Sequence, residues 1–140
     1  MTEQPLPKGD VTEGVVRVGD TVRRPHHDKS LAIARYLDHL AAAGFAGAPR
    51  YLGRDDQGRD MLTYLVGEVA SASPELWAAD DALLVSVADL VLELQSAAVG
   101  FDLDEHLFPR LPEDTGPTVV SHLDVTPQNV VVRDDRCVPR

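Results

Sequence analysis

Apolar and polar positions in the first half of the chain follow the pattern of short strands. β-Branched runs at 15–18 and 21–24 are joined by a Gly-Asp pair, which predicts a β-hairpin. Two more strands are predicted at Tyr51-Leu52 and 61–66, because a polar turn that contains a glycine separates them. The chain therefore begins with a small sheet.

Helical spacing appears in two other segments. Apolar residues three and four positions apart predict a helix from about Lys29 to Gly44, a residue suited to ending a helix. A second helix, with a wide apolar stripe, is predicted from Asp80-Asp81 to about Ala98. Further on, short apolar strands flank a polar loop. This order predicts an α+β fold, in which one helix lies against a small sheet and a helical part follows.

Composition narrows the class of protein. The chain has 140 residues, 44% of them hydrophobic and 26% charged, as expected for one folded domain. Its formal net charge is −10, so its surface would repel a nucleic acid. This acidity slightly favours a cationic substrate, although solubility alone is the stronger explanation. Without a membrane-spanning run, a signal peptide or a second cysteine beside Cys137, the sequence predicts a cytoplasmic protein with no membrane partner.

The polar loop carries the candidate chemistry. His122, Asp124 and Asn129 precede a valine run in "SHLDVTPQNVVVRDD". Asp124 is a candidate general base for a hydroxyl, and Asn129 offers an amide oxygen of the kind that Mg²⁺ accepts. A base and a metal ligand five residues apart are typical of phosphoryl transfer. Taken alone, however, the same residues fit a surface turn equally well.

Three stretches of the chain resemble a known family. They are "VVRVGDTVRRP", "LDHLAAAGFAGAPRYLGRDDQGRDMLTYLVGEV" and "VVSHLDVTPQNVVVRDD". Together they resemble bacterial members of the aminoglycoside phosphotransferase family. The resemblance implies a protein-kinase-like fold with a small N-terminal lobe and a helical C-terminal lobe. It also implies transfer of the ATP γ-phosphate to a hydroxyl of a small-molecule acceptor, with Mg²⁺ as the second cofactor.

The resemblance assigns roles to residues of the polar loop. Asp124 corresponds to the catalytic base and Asn129 to a Mg²⁺ ligand, while His122 holds the loop through hydrogen bonds. An ordinary, partly buried histidine is nearly the same interpretation of His122.

The resemblance also assigns residues to ATP. The backbones of Thr63 and Leu65 correspond to the hinge that pairs with adenine, with a plain buried strand as the alternative. Arg23 and Arg24 occupy the region of the usual phosphate-binding lysine, and Arg24 is the preferred candidate because it shares a strand face with Val22. A solvated arginine at a strand end is an equal alternative for Arg24.

Several features depart from that family. The chain lacks the family's glycine-rich phosphate loop and its phosphate-binding lysine. It also ends before the aspartate that would be the main Mg²⁺ ligand. We therefore expect a phosphotransferase truncated after its catalytic loop, with impaired activity. The alternative is a non-catalytic kinase-like remnant or binding module.

The expected organisation has three parts. A flexible leader covers 1–10, a nucleotide-binding lobe with its hinge covers 11–67, and a partial C-terminal lobe covers 68–140. Apolar faces at 83–94 and 130–132 would then lie open, which predicts self-association.

Overall fold

The computed structural model of the chain describes residues 2–6, 13–69, 80–102, 120, 125–126, 129–133 and 136–137. Within these residues it contains two helices and two antiparallel sheets, so the predicted α+β class is confirmed. The helices are α1 (Ser30–Ala42) and α2 (Asp81–Ala98). The strands are β1 (Gln4–Pro5), β2 (Val16–Val18), β3 (Thr21–Arg24), β4 (Tyr51–Arg54), β5 (Asp60–Thr63), β6 (Glu68–Val69), β7 (Val131–Arg133) and β8 (Arg136–Cys137).

The larger sheet has five strands in the order β1-β2-β3-β5-β4. The predicted hairpin is confirmed as β2 and β3, in which Val18 pairs with Thr21. Its turn begins at Gly19, whose φ of +59° is readily adopted only by glycine. The Thr21 hydroxyl donates to the Val18 carbonyl at 2.7 Å and holds the turn closed. Strand β1 lies inside the segment predicted as a flexible leader and pairs with β2.

Charged side chains connect β1 to the turn between β4 and β5. Asp55 accepts hydrogen bonds from the backbone N–H groups of Gln57 and Arg59, and the Arg59 guanidinium reaches both Asp55 and Glu3 at 2.8 Å. The hydrogen bond from Arg59 lowers the pKa of Glu3 below its usual value. The Asp55–Arg59 contacts are partly buried and the contact with Glu3 is exposed, and together they stabilise the turn locally.

Helix α1 confirms the predicted amphipathic helix and packs on the larger sheet. Its buried side chains are Ser30, Ala32, Ala34 and Leu40. At its C-terminal end the N–H of Gly44 donates to the Ala41 carbonyl and that of Phe45 to the Leu40 carbonyl. This pair of bonds, with Gly44 at a φ of +83°, is a Schellman motif, so the predicted role of Gly44 is confirmed.

Helix α2 begins where the two aspartates predicted it. The Asp80 side chain accepts from the N–H groups of Ala82 at 2.9 Å and Leu83 at 3.3 Å. Leu83 packs on Val132 of β7, with Val87 and Leu90 beside them. The helix also contacts α1 and β8. Leu84, Val85 and Leu92, by contrast, are more than half exposed.

The smaller sheet has the order β6-β7-β8. Strand β5 ends at Thr63 rather than at residue 66. The Tyr64 N–H still donates to the Asp20 carbonyl at 2.9 Å, and beyond it the Arg133 guanidinium donates to the Val66 carbonyl at 2.7 and 3.1 Å. The strand predicted before the polar loop lies outside the described residues, whereas the one after it is β7.

The described residues do not show a kinase-like arrangement of two lobes. The larger sheet is built from residues 4–63 and the smaller from 68–137. The predicted division of the chain at residue 67 stays a prediction. None of the described helices is both long and apolar enough to cross a membrane.

We expect Gly67→Ala to destabilise the fold. Gly67 has a φ of +148°, and an added Cβ would lie 2.5 Å from the Val132 carbonyl oxygen and 2.7 Å from a Val131 methyl. Because backbone strain and a clash add together, we expect a loss of about 3 kcal/mol in the free energy of unfolding. Urea denaturation followed by circular dichroism measures this loss.

Gly19→Ala is the matched control. Gly19 also has a positive φ, but an added Cβ meets nothing within 4 Å. Only the backbone penalty applies, so the expected loss is about 1 kcal/mol. Equal losses for both variants would contradict the close approach of β7 to Gly67.

Candidate functional site

A buried carboxylate forms the polar centre of the candidate site. Strand β5 alternates its side chains, and Asp60 and Leu62 both point inward towards α1. The Asp60 side chain is fully buried. One of its oxygens lies 2.7 Å from His26 Nδ1, and the other accepts a hydrogen bond from the Ser30 hydroxyl. A carboxylate only accepts, so His26 must carry its proton on Nδ1.

Arg24 adds positive charge to this centre. It is the cross-strand partner of Asp60 in the β3–β5 ladder, which places both side chains on the same face. Arg24 Nε lies 3.7 Å from Asp60 Oδ2, too far for a hydrogen bond but close enough for an ion pair. Among the described residues, the buried Nε and Nη2 atoms of Arg24 have no hydrogen-bond acceptor. The Tyr51 hydroxyl donates weakly to Asp60 at 3.4 Å.

The surroundings of Asp60 keep it ionised. Burial by itself raises the pKa of the carboxyl, but the hydrogen bonds from His26 and Ser30 outweigh it, helped by the charges of His26 and Arg24. The net effect places the pKa of Asp60 below its usual value. A negative charge is therefore held permanently beneath α1 at neutral pH.

Serine, histidine and aspartate, the residue types of a serine-protease triad, meet here without forming a catalytic triad. In such a triad, the histidine takes the proton of the serine hydroxyl. The Ser30 hydroxyl instead donates directly to Asp60 and is fully buried, so no substrate reaches it. The arrangement fixes geometry and charge rather than creating a nucleophile.

An apolar cleft lies beside this polar centre. It has a volume of about 450 Å³, within the range of small-molecule sites. Helix α1 supplies Ile33, Tyr36, Leu37 and Leu40, and the strand β5 supplies Leu62. The inner face of α2 supplies Val87, Leu90, Val91 and Leu94. The turn after α1 and the residues around β7 complete the wall with Phe45, Gly47, Ala48, Pro49, Val120, Val125, Val130 and Val131.

Few of the described residues that line this cleft are polar. They are Arg24, Asn129 and Tyr36. The Tyr36 hydroxyl donates to the Val120 carbonyl at 2.8 Å, and burial raises the pKa of Tyr36. The cleft therefore suits an apolar ligand, with the Arg24 cation as its charged neighbour.

Three of the residues predicted from the sequence line this cleft together: Arg24, Leu65 and Asn129. Arg23 points to the opposite face of the sheet, where its Nε lies 3.5 Å from Asp55. His122 and Asp124 lie outside the described residues. The structure thus leaves the predicted base untested.

Two of the residues predicted to bind ATP or Mg²⁺, Thr63 and Asn129, already hydrogen-bond to other residues of the chain. The N–H of Thr63 donates to the Arg50 carbonyl at 3.0 Å, and the Thr63 hydroxyl accepts from the Arg50 N–H at 2.9 Å. An adenine edge could use the Thr63 N–H only after that bond opened. Asn129 donates to Thr126 through both its backbone, at 2.8 Å, and its side chain, at 3.3 Å.

Sequence reasoning missed Asp60, His26 and Ser30. A signal was present, because Asp60 shares the alternation of Leu62 at the start of an apolar strand, and a charge in an inward position needs partners. The partners lie 34 and 30 residues away, beyond any local pattern. In the described part of the chain, no group of three or more His, Cys, Asp or Glu could hold a metal ion.

One curated relative provides a functional comparison. The chain is 31% identical over 127 residues to the trifolitoxin immunity protein of Rhizobium leguminosarum bv. trifolii. The match covers 85% of this chain but 46% of the relative, so the chain spans about half the length of that protein. No protein-family model matches the chain. No solved structure matches it either.

These comparisons overturn the phosphotransferase interpretation. The matching relative is an immunity protein, and no family model supports the aminoglycoside phosphotransferase family. The predicted kinase activity, transfer to a small-molecule hydroxyl, is therefore wrong. The prediction depended on the His-x-Asp-x-x-x-x-Asn spacing, which also fits a turn. Asn129 does make turn contacts with Thr126. ATP and Mg²⁺ as ligands stay predictions.

We expect Asp60→Asn to destabilise the protein at neutral pH. The amide can neither balance Arg24 nor accept the bonds of His26 and Ser30 as strongly, and breaking a buried ionic cluster costs about 3 kcal/mol. Asp56→Asn, in the exposed turn of the same hairpin, is the control and should change stability little.

The pH dependence of stability tests the same cluster. The pKa of Asp60 is lower in the folded chain than the value of about 3.9 expected when it is unfolded, so the unfolded chain binds the proton first. The stabilisation from Asp60 is therefore complete above about pH 4 and disappears as the pH falls further. We therefore propose denaturant titrations over roughly pH 3 to pH 7. The free energy of unfolding should fall less towards acid pH in Asp60→Asn than in the unmodified chain. Parallel curves would contradict an ionised, hydrogen-bonded Asp60.

Proposed function

We propose that the chain belongs to a toxin-immunity protein and that it protects a bacterial cell by binding a toxin. The observation that carries this proposal is the 31% identity to the trifolitoxin immunity protein across 85% of this chain. The relative is named as an immunity protein, and binding is the simplest chemistry that the described geometry supports. A cytoplasmic location, which the sequence predicts, is part of the same proposal.

The apolar cleft is the proposed binding site. Its aliphatic walls exclude water from an apolar group of the toxin, and burial of that group supplies the affinity. The Asp60 cluster has a supporting role. It holds the first residue of α1 and Arg24 of β3 against β5, so the walls from helix and sheet keep their spacing when the cleft is empty. A preformed cleft loses less entropy on binding.

Protection of a sensitive strain tests the proposal. Cells that express the chain should grow at trifolitoxin concentrations at least about tenfold higher than cells without it. A tenfold change in concentration corresponds to a binding free energy of about 1.4 kcal/mol. Cells that express an unrelated acidic protein of similar size serve as the first control. If the chain accumulates as folded protein and the inhibitory concentration stays unchanged, the proposed function is wrong.

A matched pair of leucines on α1 tests the cleft. Leu37 lines it, whereas Leu31 is 60% exposed and does not. We expect Leu37→Asn to weaken protection about tenfold, because an amide facing apolar walls must lose its water on binding. Leu31→Asn should protect like the unmodified chain. Circular dichroism of both purified variants separates loss of binding from loss of folding.

The predicted cofactors can be tested with the same protein. A ligand that binds only the folded chain raises its melting temperature. Melting curves with and without millimolar ATP and Mg²⁺ therefore decide whether the nucleotide and metal predicted from the sequence bind to it. An unchanged melting temperature would contradict the prediction that the chain binds ATP and Mg²⁺.

A further inference from the structure

Helix α2 carries a second apolar face that points away from the cleft. Val85 is 60% exposed and Leu92 is 61% exposed, and Ala88 lies between them on the same side of the helix. Their spacing of three and four residues is that of the seam between paired helices. Leu84 and Val99 extend the exposed surface. We call Leu84, Val85, Ala88, Leu92 and Val99 the outer stripe.

A shallow groove adjoins the outer stripe. It has a volume of about 460 Å³ and lies where the last turn of α1 meets α2. Ala43, Gly44 and Phe45 form one wall, and Leu92, Glu93, Ser96 and Ala97 form the other. The groove and the stripe share Leu92, so they form one continuous surface.

The charges that helix α2 itself carries all have the same sign. Within its 18 residues α2 carries Asp81, Asp89 and Glu93, all exposed, and no Lys or Arg. The carbonyl end of α1, at Ala43 and Gly44, adds the negative pole of a helix dipole to the groove. The surface is therefore apolar along its centre and negative at its margin.

We propose that the outer stripe and its groove bind a cationic amphipathic helix. Apolar side chains of such a partner would pack along Val85, Ala88 and Leu92, and its Lys or Arg side chains would reach the carboxylates of Asp89 and Glu93. A second copy of this chain fits less well, because pairing two α2 helices would bring acidic side chains against acidic side chains. This surface is separate from the cleft, so the proposal does not depend on how the cleft is used.

A pair of designed peptides tests the surface. The first has 18 residues, with leucines at helical spacing on one face and lysines elsewhere, matching α2 in length. The second has glutamate in place of every lysine. We expect fluorescence anisotropy to show binding of the lysine peptide to the full chain and binding at least about tenfold weaker for the glutamate peptide. The affinity of the lysine peptide should fall as salt is added. Equal binding of both peptides would overturn the proposal.

Matched protein variants locate the bound peptide. Leu92 and Leu31 are exposed to nearly the same extent, 61% and 60%, but only Leu92 belongs to the outer stripe. Leu92→Gln should weaken binding of the lysine peptide about tenfold, and Leu31→Gln should leave it unchanged. The double variant Asp89→Asn with Glu93→Gln should reduce the salt dependence. The same loss in both leucine variants would overturn the assignment.

Two further measurements separate this proposal from its competitors. The cleft variant Leu37→Asn should bind the peptide like the unmodified chain, whether or not it protects cells. Sedimentation should show a monomer at the concentrations of the binding assay. A dimer that Leu92→Gln dissociates, together with no peptide binding, would assign the outer stripe to a second copy and overturn the proposal.

Discussion

The ionised carboxylate of Asp60 is the contact around which the larger sheet and α1 are arranged. A charge without access to water is tolerated only with partners close at hand. The partners of Asp60 are Arg24 of β3, His26 of the link between β3 and α1, and Ser30 of α1. These bonds leave α1 little freedom to slide or rotate on the sheet. The apolar cleft depends on that placement, because one of its walls is α1 and another is β5.

The same contact explains an irregularity at the start of α1. Serine is a preferred capping residue, yet Ser30 is the first residue inside the helix, and Lys29 occupies the N-cap position without a capping bond from its side chain. The Ser30 hydroxyl donates to Asp60 instead. The Ser30 oxygen also accepts from the His27 N–H at 3.1 Å, so its one local bond is to the link before the helix, whereas the Schellman motif at Gly44 closes the other end of α1. The single hydroxyl of Ser30 therefore joins the start of α1 both to the link before it and to β5.

Features set by neighbours in the sequence could be predicted, and features set by distant residues could not. The Gly19 turn, the end of α1 at Gly44 and the Asp80 cap depend on residues a few positions apart, and all three follow from the printed sequence. The partners of Asp60 are 30 or more residues away. The phosphotransferase resemblance failed for a related reason. A spaced triplet of polar residues specifies a loop, but the chemistry of a loop depends on what the fold brings opposite to it.

The two apolar faces of helix α2 have different explanations. The inner face, with Leu83, Val87 and Leu90, meets β7 and the cleft, so folding accounts for it. Single exposed apolar residues are normal on a protein surface. The outer stripe is different, because its exposed residues follow one side of the helix, Leu92 also lines a groove, and Asp89 and Glu93 lie on the same helix. Folding of the described residues does not require this alignment, and exposing it to water favours association. Since the charged side chains of α2 are all acidic, two copies of this surface repel each other and a cationic surface is attracted. The charge pattern therefore selects the partner, and the apolar stripe supplies the contact area.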